Sequence, residues 1–482
     1  SFGAGRRDIW ILKLDSNGII EWQRTYGGSY NELANSIQQT SDGGYIAAGI
    51  SFSFGSGSGD FWVLKLDSTG NIEWQRAYGG SEKDYAKSIQ QTNDGGYIVE
   101  GQTYSFGPGL SNIWILKLSS VGDIEWQRTY GGSSDDYAFW IQQTSDGGYI
   151  IAGETYSYGD GSDDAWILKL SSVGDIEWQR IYGGNKQDWS SIIQQTSDGG
   201  YIVAGGGYSF SAGDRDGWIL KLSSVGDIEW QRTYGGIDYD YTWHIQQTND
   251  EGYIIAGYTF SFGEGKSDAW VFKVDTIGNI EWQRTYGGGD YDYARSIQQT
   301  SDGGYIVTGH TESFGAGRRD IWALKLDSTG DISPSCGFMG SPNAIMTYPD
   351  VYPEDSNTTP QTTFVTPFYT NASPQDTEAT VTLLCSTQEY TLTISTTPGG
   401  TTDPAPDTYT DYGGTRVAIT AIPDSGYAFS GWSGETSGSE NPITITMDKD
   451  KSITANFIRQ YTLTIAAGEG GITNPTPINH FF

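Results

Sequence analysis

The sequence has few of the residues that metal centres, disulfide frameworks and nucleic-acid interfaces require. Its 482 residues include two cysteines, three histidines, and 27 lysines and arginines against 59 aspartates and glutamates. A formal net charge of −32 and a pI near 4.2 argue against a nucleic-acid partner, because phosphate neutralisation needs clustered cations. Cys336 and Cys385 stand in no CxxC or Cys/His spacing, so no structural zinc site is predicted.

Long apolar runs are also missing. No segment is long and apolar enough to span a bilayer, so no transmembrane segment is predicted, and no signal peptide stands at Ser1. The segment SFGAGRRDIW at residues 1–10 recurs identically at 313–322, so we expect Ser1 to lie inside a repeat, with sequence missing upstream.

Repetition is what the sequence has in abundance. A tryptophan returns every 52 residues, at Trp10, Trp62, Trp114, Trp166, Trp218, Trp270 and Trp322. A strict period in this range is typical of solenoids, propellers and arrays, in which copies of one unit bury each other's faces.

Each copy contains four short runs rich in Ile, Val, Trp and Tyr. In the copy that starts at Ser88 they read SIQQT, GYIVEG, IWILKLS and DIEWQRTYG. Short glycine-containing turns, TSDGG and SSVGD, join the first pair and the last pair, which predicts two tight hairpins. The longer connections, QTYSFGPGLSN and GGSEKDYAKS, then fall together at the other end of the strands, and we call that end the long-loop face.

Four antiparallel strands in about 50 residues are typical of a propeller blade. A half unit, residues 8–26, precedes six units that start at Ser36, Ser88, Trp140, Ile192, His244 and Ser296. We therefore predict an all-β protein in which residues 1–335 form a β-propeller of four-stranded blades. Seven blades are favoured over six or eight, because an open ring leaves strand edges unpaired.

The runs DGGYIVEG, IWILKL and IEWQRTYGG resemble the kelch-type and related propeller repeats of secreted bacterial and archaeal surface proteins. TSDGG shares the T-x-D-x-G core of the Asp-box turn, although the usual aromatic residue is displaced. The resemblance implies the propeller architecture and no particular activity, since propellers carry unrelated functions.

Residues 336–388 lack the repeat and are rich in Thr, Pro, Asn and Ser, which predicts a linker with one strand, ATVTLLC. A disulfide between Cys336 and Cys385 would hold this linker against the last blade and contribute about 4 kcal/mol in the chain-entropy model. Two buried free thiols are the alternative. Asn357 and Asn371 stand in N-x-[ST] sequons and are candidate glycosylation sites.

Residues 389–458, with the motifs YTLTI, GYAFSGWSG and DKSITANF, resemble a complete internalin-type B-repeat. The resemblance implies a small β-grasp-like module that serves as a spacer or adhesive unit on secreted surface proteins. Residues 459–482 begin a second, truncated copy with QYTLTIAAGEGG. Its YTLTI strand lacks the rest of its sheet, so it either lies disordered or pairs with a neighbouring molecule and builds a homo-oligomer or filament.

Candidate ligand-binding residues come from comparing the copies, because a position that differs between them is free to serve a ligand. The most variable positions precede and begin the first strand and carry Lys87, Phe139, Trp140, Trp243, His244 and Arg295. Aromatic faces there, beside Asp135 and Asp240, would suit sugar rings; filling gaps between blades is the equal alternative. Glu100, at a position that is mostly alanine, is a rim carboxylate or a costly buried one.

Positions that are the same in every copy are assigned to the fold. Trp22, Arg24 and Tyr26 recur at 52-residue steps and predict packing between blades. The acid at Glu32 and its equivalents is predicted to cap a turn, with a calcium ion as the less favoured alternative; they are Asp84, Asp136, Asp188, Asp240 and Asp292. His244 and His310 share no fixed spacing and make a weak metal site.

No Ser/His/Asp set, metal-ligand cluster or unique carboxylate pair of the kind glycoside hydrolysis uses is evident. The sequence therefore predicts a non-enzymatic extracellular surface protein without a cofactor, which binds a glycan or a surface protein through the long-loop face. A structural subunit of an extracellular filament or surface layer, and a glycan hydrolase, are the alternatives.

Overall fold

The structure is a computed structural model. It describes residues 6–332 except 160–161, 212–213, 264 and 316–317, residues 389–464 except 413–415 and 448, and short strands between 339 and 376 and at 479–481. Every regular element in these residues is a β-strand, so none offers a helix that could cross a membrane. The chain divides into two compact units, Ser1–Asp331 with Phe338–Val381, and Ile332–Gly337 with Thr382–Phe482.

The repeats fold into seven antiparallel sheets, one for each period, with strands in chain order. The first sheet has β1 (Ile9–Leu14) and β2 (Ile20–Tyr26). The second to sixth sheets have four strands each: β3 (Glu32–Gln39), β4 (Tyr45–Ser51), β5 (Asp60–Leu66), β6 (Ile72–Tyr78); β7 (Asp84–Gln91), β8 (Tyr97–Thr103), β9 (Asn112–Leu118), β10 (Ile124–Tyr130); β11 (Asp136–Gln143), β12 (Tyr149–Thr155), β13 (Asp164–Leu170), β14 (Ile176–Tyr182); β15 (Asp188–Gln195), β16 (Tyr201–Gly207), β17 (Asp216–Leu222), β18 (Ile228–Gly235); β19 (Asp240–Gln247), β20 (Tyr253–Thr259), β21 (Asp268–Val274), β22 (Ile280–Tyr286). The seventh has β23 (Asp292–Gln299), β24 (Tyr305–Thr311) and β25 (Asp320–Leu326).

The predicted hairpin turns are confirmed, and they carry an ion-pair network. In the second sheet Asp42 accepts a hydrogen bond from the Gly44 amide at 2.9 Å, while Gly43 takes the positive φ of 83° that the turn requires. The buried ammonium of Lys65 lies 2.9 Å from Asp42 and 2.7 Å from Glu73. The lysine of IWILKL therefore joins the first turn to the last strand.

Hydrogen bonds between neighbouring sheets explain why QQ and Tyr recur so strictly. The Gln143 amide donates to Oε1 of Gln90 at 2.6 Å, and Oε1 of Gln143 accepts from the Asn93 amide at 2.8 Å. The buried Tyr130 hydroxyl donates to the Gly174 carbonyl at 2.6 Å. Each bond connects one sheet to the next, so these positions hold the stack together, as predicted for Tyr26.

The predicted propeller is wrong, because the sheets are separate units and none of them closes into a ring. The face of the second sheet that carries Ile37 is open, with that side chain 48% exposed, whereas its equivalent Ile89 is 4% exposed. At the other end of the array Ile321 is 56% exposed, whereas Ile113 is fully buried. In a closed ring these two end faces would be covered.

The misprediction has a physical reason. Each sheet of a repeat array contacts only its neighbours, so the same repeat sequence serves an open stack and a closed ring. The last unit, predicted complete, has three strands in the described residues because the outer-strand sequence IEWQRTY is missing after Asp331.

Five short strands after the array add to the outer edges of the sixth, fifth, third, second and first sheets. They are β26 (Met339–Gly340), β27 (Ile345–Thr347), β28 (Gln361–Thr362), β29 (Phe368–Tyr369) and β30 (Gln375–Asp376). Pairing of this kind covers sheet edges that would otherwise be open. The predicted disulfide of Cys336 and Cys385, the sequons at Asn357 and Asn371, and the strand ATVTLLC lie outside the described residues.

Strands between residues 389 and 459 of the second unit form two small sheets around the buried Trp432. One sheet has the order β33-β31-β37-β35, with β31 and β37 parallel, and the other has the order β32-β34-β36. The strands are β31 (Glu389–Thr396), β32 (Gly400–Asp403), β33 (Thr408–Tyr412), β34 (Arg416–Pro423), β35 (Tyr427–Gly434), β36 (Ile443–Thr446) and β37 (Lys451–Arg459). The described residues contain no helix for a sheet to grasp, so the β-grasp-like prediction is corrected to an all-β module.

The strand expected to lack a partner has one within the chain. β38 (Thr462–Thr464) pairs antiparallel with β39 (Asn479–Phe481). Formation of a homo-oligomer or filament through β38 stays a prediction. It would have to use the edge of β38 that does not pair with β39.

Candidate ligand-binding face

The long connections of each repeat meet at one end of the sheets. The Tyr104 amide, after β8, donates to the Lys83 carbonyl at 3.0 Å, and the Asp84 amide donates to the Gly59 carbonyl at 2.8 Å. This end is the long-loop face that the sequence predicts, and loops held on a rigid scaffold are common sites of binding.

The variable position predicted to precede the first strand lies inside that strand, at a β-bulge. In the fourth sheet Ala138 pairs with Gly153 and Trp140 pairs with Ala152, so Phe139 has no partner in the register. A bulge redirects the side chain of the extra residue without changing the rest of the ladder. The same shift recurs in the second to seventh sheets, at Asn35, Lys87, Phe139, Ser191, Trp243 and Arg295.

Two of the predicted site residues come together across an intervening sheet. The rings of Trp140, in the fourth sheet, and His244, in the sixth, meet edge to face with centroids 5.6 Å apart. Trp140 also packs against the buried clusters on both sides of the fifth sheet, where Ile192 stands at the equivalent position. Burial lowers the pKa of His244 to about 4, so the ring is neutral near pH 7. These two side chains therefore pack the interior of the array.

Glu100 is a buried carboxylate and not a rim group. It lies across from Ser88 in the third sheet and has no exposed surface. Neither carboxylate oxygen has a hydrogen-bond partner in the described part of the chain. Burial raises its pKa to about 8, against the opposing effect of Lys87.

A second carboxylate beside Lys87 lies nearer to the loops. Burial, with the charge of Asp163, raises the pKa of Glu154 to about 7, and Lys87 opposes this effect. The Tyr156 hydroxyl donates to Asp163 at 3.2 Å. The part of the face formed by the third and fourth sheets is therefore acidic. Lys87 is the cation whose charge acts on both Glu100 and Glu154.

The other half of the face is aromatic. We call Trp189, Tyr241, Tyr258, Tyr293 and His310 the aromatic ladder. Tyr241 stacks on Tyr258 with centroids 4.5 Å apart, Tyr258 meets the edge of Tyr293 at 4.5 Å, and Tyr293 stacks on His310 at 4.5 Å. Trp189 continues it at 6.0 Å from Tyr241. The ladder runs from the fifth to the seventh sheet.

Three further rings flank the ladder towards solvent. Phe260 lies 6.3 Å from Tyr239 and 6.4 Å from Tyr291, measured between ring centroids. Tyr239 is 38% exposed and Phe260 is 36% exposed. We call these three residues the outer rings; Tyr239 and Phe260 have faces that a ligand can reach, and the Lys266 ammonium lies 5.0 Å over the ring of Tyr291.

Cations order the aromatic half. The Arg215 guanidinium lies 4.3 Å from the Tyr208 ring and 4.6 Å from the Trp189 ring, and it donates to the hydroxyls of Tyr208 and Tyr241. The Arg295 guanidinium lies 4.5 Å over the ring of Trp243. Of the six predicted residues, Trp243 and Arg295 thus form one contact pair at this half, and Lys87 and Phe139 lie half-buried at their bulges.

The recurring acid caps a turn, as predicted. Asp84 accepts hydrogen bonds from the Gly80 amide at 2.9 Å and from the Ser105 hydroxyl at 2.8 Å. Its equivalent Asp240 is fully buried and accepts the same two bonds, so it is not available to a sugar hydroxyl. No group of three or more His, Cys, Asp or Glu side chains in the described residues is arranged around one ion position.

Sequence reasoning missed the aromatic ladder. One signal was present, because the residue after the recurring acid is aromatic in five copies, at Tyr85, Tyr137, Trp189, Tyr241 and Tyr293. The part that Tyr258 and His310 play in the ladder could not be predicted from the sequence. It depends on which residue of the second strand lies across from the aromatic residue of the first strand.

Comparison with known proteins identifies the second unit. Its sheets and its buried tryptophan coincide with the segment that matches the family model, residues 390–460. Residues 390–460 match the family described as the divergent InlB B-repeat domain. The internalin-type resemblance is confirmed for this part of the chain, whereas the likeness of the repeats to kelch-type sequences stays a prediction.

A longer relative also matches. Regulatory protein FlaEY of Caulobacter vibrioides is 29% identical over 393 residues, an alignment that covers 66% of this chain and 41% of the relative. The chain thus spans less than half of that protein.

Proposed function

We propose that the protein is a non-enzymatic extracellular surface protein that binds a glycan through the long-loop face of its repeat array. The observation that carries the proposal is the aromatic ladder with its outer rings. The InlB B-repeat domain supports a surface location, because modules that it resembles serve as spacers or adhesive units on secreted surface proteins.

The chemistry of the face favours a sugar over other ligands. Aromatic rings offer apolar faces that stack against the C–H faces of pyranose rings, while hydroxyl and carboxylate groups at the edges pair with sugar hydroxyls. The outer rings are supplied with such groups by Asp290 and by their own tyrosine hydroxyls. The net charge of −32 repels polyanions at long range, which disfavours nucleic acid as the ligand.

One observation favours a glycan hydrolase as a second candidate. Burial and the charge of Asp163 raise the pKa of Glu154 to about 7, and a carboxyl group that keeps its proton near neutral pH is what the acid step of glycoside cleavage requires. An assay for released reducing ends tests it, with Glu154→Gln as the variant. Release that Glu154→Gln abolishes would replace binding with catalysis as the primary function.

Replacing Phe260 and Tyr291 together with alanine should weaken binding of any retained glycan at least tenfold. Each aromatic contact is worth about 1 kcal/mol, and about 1.4 kcal/mol corresponds to a factor of ten in affinity. The ligand is first found by applying the intact chain to a glycan array, and affinity is then measured by titration calorimetry.

The matched control removes two exposed apolar side chains from the opposite end of the sheets. Val121 and Val173, in the SSVGD turns, are each 54% exposed. Val121→Ala with Val173→Ala should leave affinity unchanged, and both double variants should melt near the wild-type temperature. Retention of no glycan by the wild type, or equal affinity of the Phe260/Tyr291 variant, would refute the proposal.

A further inference from the structure

Arg295 differs from the other cations of the aromatic half. It stands on the bulge of the seventh sheet, exposed, with its guanidinium 4.5 Å from the ring of Trp243 and 5.6 Å from the ring of Tyr293. Within the described residues it makes no ion pair and no hydrogen bond. By contrast, Arg319 lies 2.7 Å from Glu312, and Lys266 lies 2.7 Å from Asp290.

The charge of Arg295 affects the neighbouring side chain of His310. Burial and the charges of Arg295 and Arg319 lower the pKa of His310, which stacks on Tyr293. Glu312 and Asp292 act on His310 in the opposite direction, and Glu312 already pairs with Arg319, so Arg295 is left as a cation that no carboxylate holds in the described residues of a protein whose formal charge is −32. An uncompensated guanidinium presents a planar fork of N–H donors, which matches the two oxygens of a carboxylate.

We propose that Arg295, Trp243 and Tyr293 form a subsite for the carboxylate of an acidic sugar residue, such as a uronic acid. The inference rests on the proposed glycan-binding function and names the ligand class for it. The guanidinium receives the carboxylate while the sugar ring lies towards the outer ring of Tyr291, whose centroid is 6.4 Å from that of Tyr293. Trp243 and Tyr293 hold the guanidinium in place, so little side-chain freedom is lost when the anion binds.

The charge of the whole molecule limits what this subsite accepts. One unpaired cation can compensate one carboxylate, whereas a densely sulfated or phosphorylated polymer would bring many charges into the field of an acidic protein. The subsite thus selects a glycan in which carboxylated residues are spaced among neutral ones, or a short acidic oligosaccharide.

The test compares acidic oligosaccharides with their carboxyl-reduced counterparts on the full chain. Oligomers of galacturonate, of mannuronate and of glucuronate alternating with a neutral sugar are each titrated beside the reduced form, with dextran and dextran sulfate as further probes. We expect at least one acidic oligomer to bind at least tenfold more tightly than its reduced form. Arg295→Gln should abolish that preference, whereas Arg319→Gln, which makes the same change in net charge, should keep it.

The outcomes separate this inference from the function on which it rests. Equal binding of acidic and reduced oligomers, a preference that survives Arg295→Gln, or binding of dextran sulfate alone would overturn the carboxylate subsite. Failure to bind any of the saccharides, charged or neutral, on the glycan array as well as in titration would overturn glycan binding itself.

Arg295→Gln should also raise the pKa of His310 in the absence of any ligand, because it removes a positive charge that disfavours protonation of the ring. NMR titration of the imidazole resonances measures this, since the chain has only three histidines. Arg284→Gln, which changes a cation held by Asp331 at 3.0 Å, is the control and should leave the His310 resonance in place. An unchanged His310 pKa in Arg295→Gln would remove the evidence for a local positive field.

Discussion

Replacing Glu100 with alanine should make the protein more stable than the wild type above pH 8. Between pH 4 and pH 9 the difference in unfolding free energy between variant and wild type should shift in favour of the variant by up to about 4–5 kcal/mol. The fully buried carboxylate has a pKa of about 8 in the folded chain, against an ordinary value of 4.5. Each unit of difference corresponds to about 1.4 kcal/mol, which gives the expected size. Alanine stands at this position in four other sheets, at Ala48, Ala152, Ala204 and Ala256, and threonine stands there in the seventh, at Thr308.

The sign follows from where the proton is bound. Between pH 4.5 and about 8 the unfolded chain has lost the Glu100 proton while the folded chain keeps it, so stability falls as pH rises through this window. Below the window both states are protonated and the side chain contributes its packing, so the alanine variant should be equal to the wild type or less stable there. Above it, the wild type carries an unpaired buried charge that the variant lacks.

Urea denaturation at pH 4, 6 and 9, followed by tryptophan fluorescence, measures the difference. Glu82→Ala, which removes an exposed carboxylate at the start of the same repeat, is the control for the loss of a surface carboxylate. A difference for Glu100→Ala that stays constant from pH 4 to pH 9 would show that the carboxylate is not held as the acid.

The strands and hairpins of the array could be predicted because their signals are local. TSDGG and SSVGD carry the turn chemistry within five residues, and the alternation in IWILKL marks a strand directly. Closure could not be predicted, because it depends on whether the end faces around Ile37 and Ile321 have a neighbour, and the repeat sequence is the same in either case.

The candidate site was predictable in position but not in composition. Variation among copies pointed to the bulge positions, and Trp243 and Arg295 do lie in contact there. Of the two roles predicted for Asp240, turn capping is confirmed and contact with a sugar hydroxyl is wrong, because the carboxylate is buried and accepts two hydrogen bonds within its own repeat. The aromatic ladder was missed because its stacking depends on cross-strand register, which places Tyr241 directly opposite Tyr258.

Replacing Gly153 with alanine should cost about 3 kcal/mol of folding free energy, because the bulge that presents Phe139 needs a glycine opposite it. A Cβ at residue 153 would lie 2.0 Å from the Tyr137 carbonyl oxygen and 3.1 Å from the Ala138 Cα. These are backbone atoms of the paired strand, so no side chain can rotate away, and the strand itself must move. The same close approach recurs at Gly49, Gly101, Gly205, Gly257 and Gly309, where an added Cβ would lie less than 2 Å from a carbonyl oxygen.

Gly147→Ala separates this contact from the general cost of replacing a glycine. Gly147 has a φ of 84° in the TSDGG turn, but a Cβ there meets nothing within 4 Å, so its replacement should cost about 1 kcal/mol through backbone strain alone. Urea denaturation of both variants compares the two losses, and a loss for Gly153→Ala no greater than that for Gly147→Ala would show that the bulge can relax.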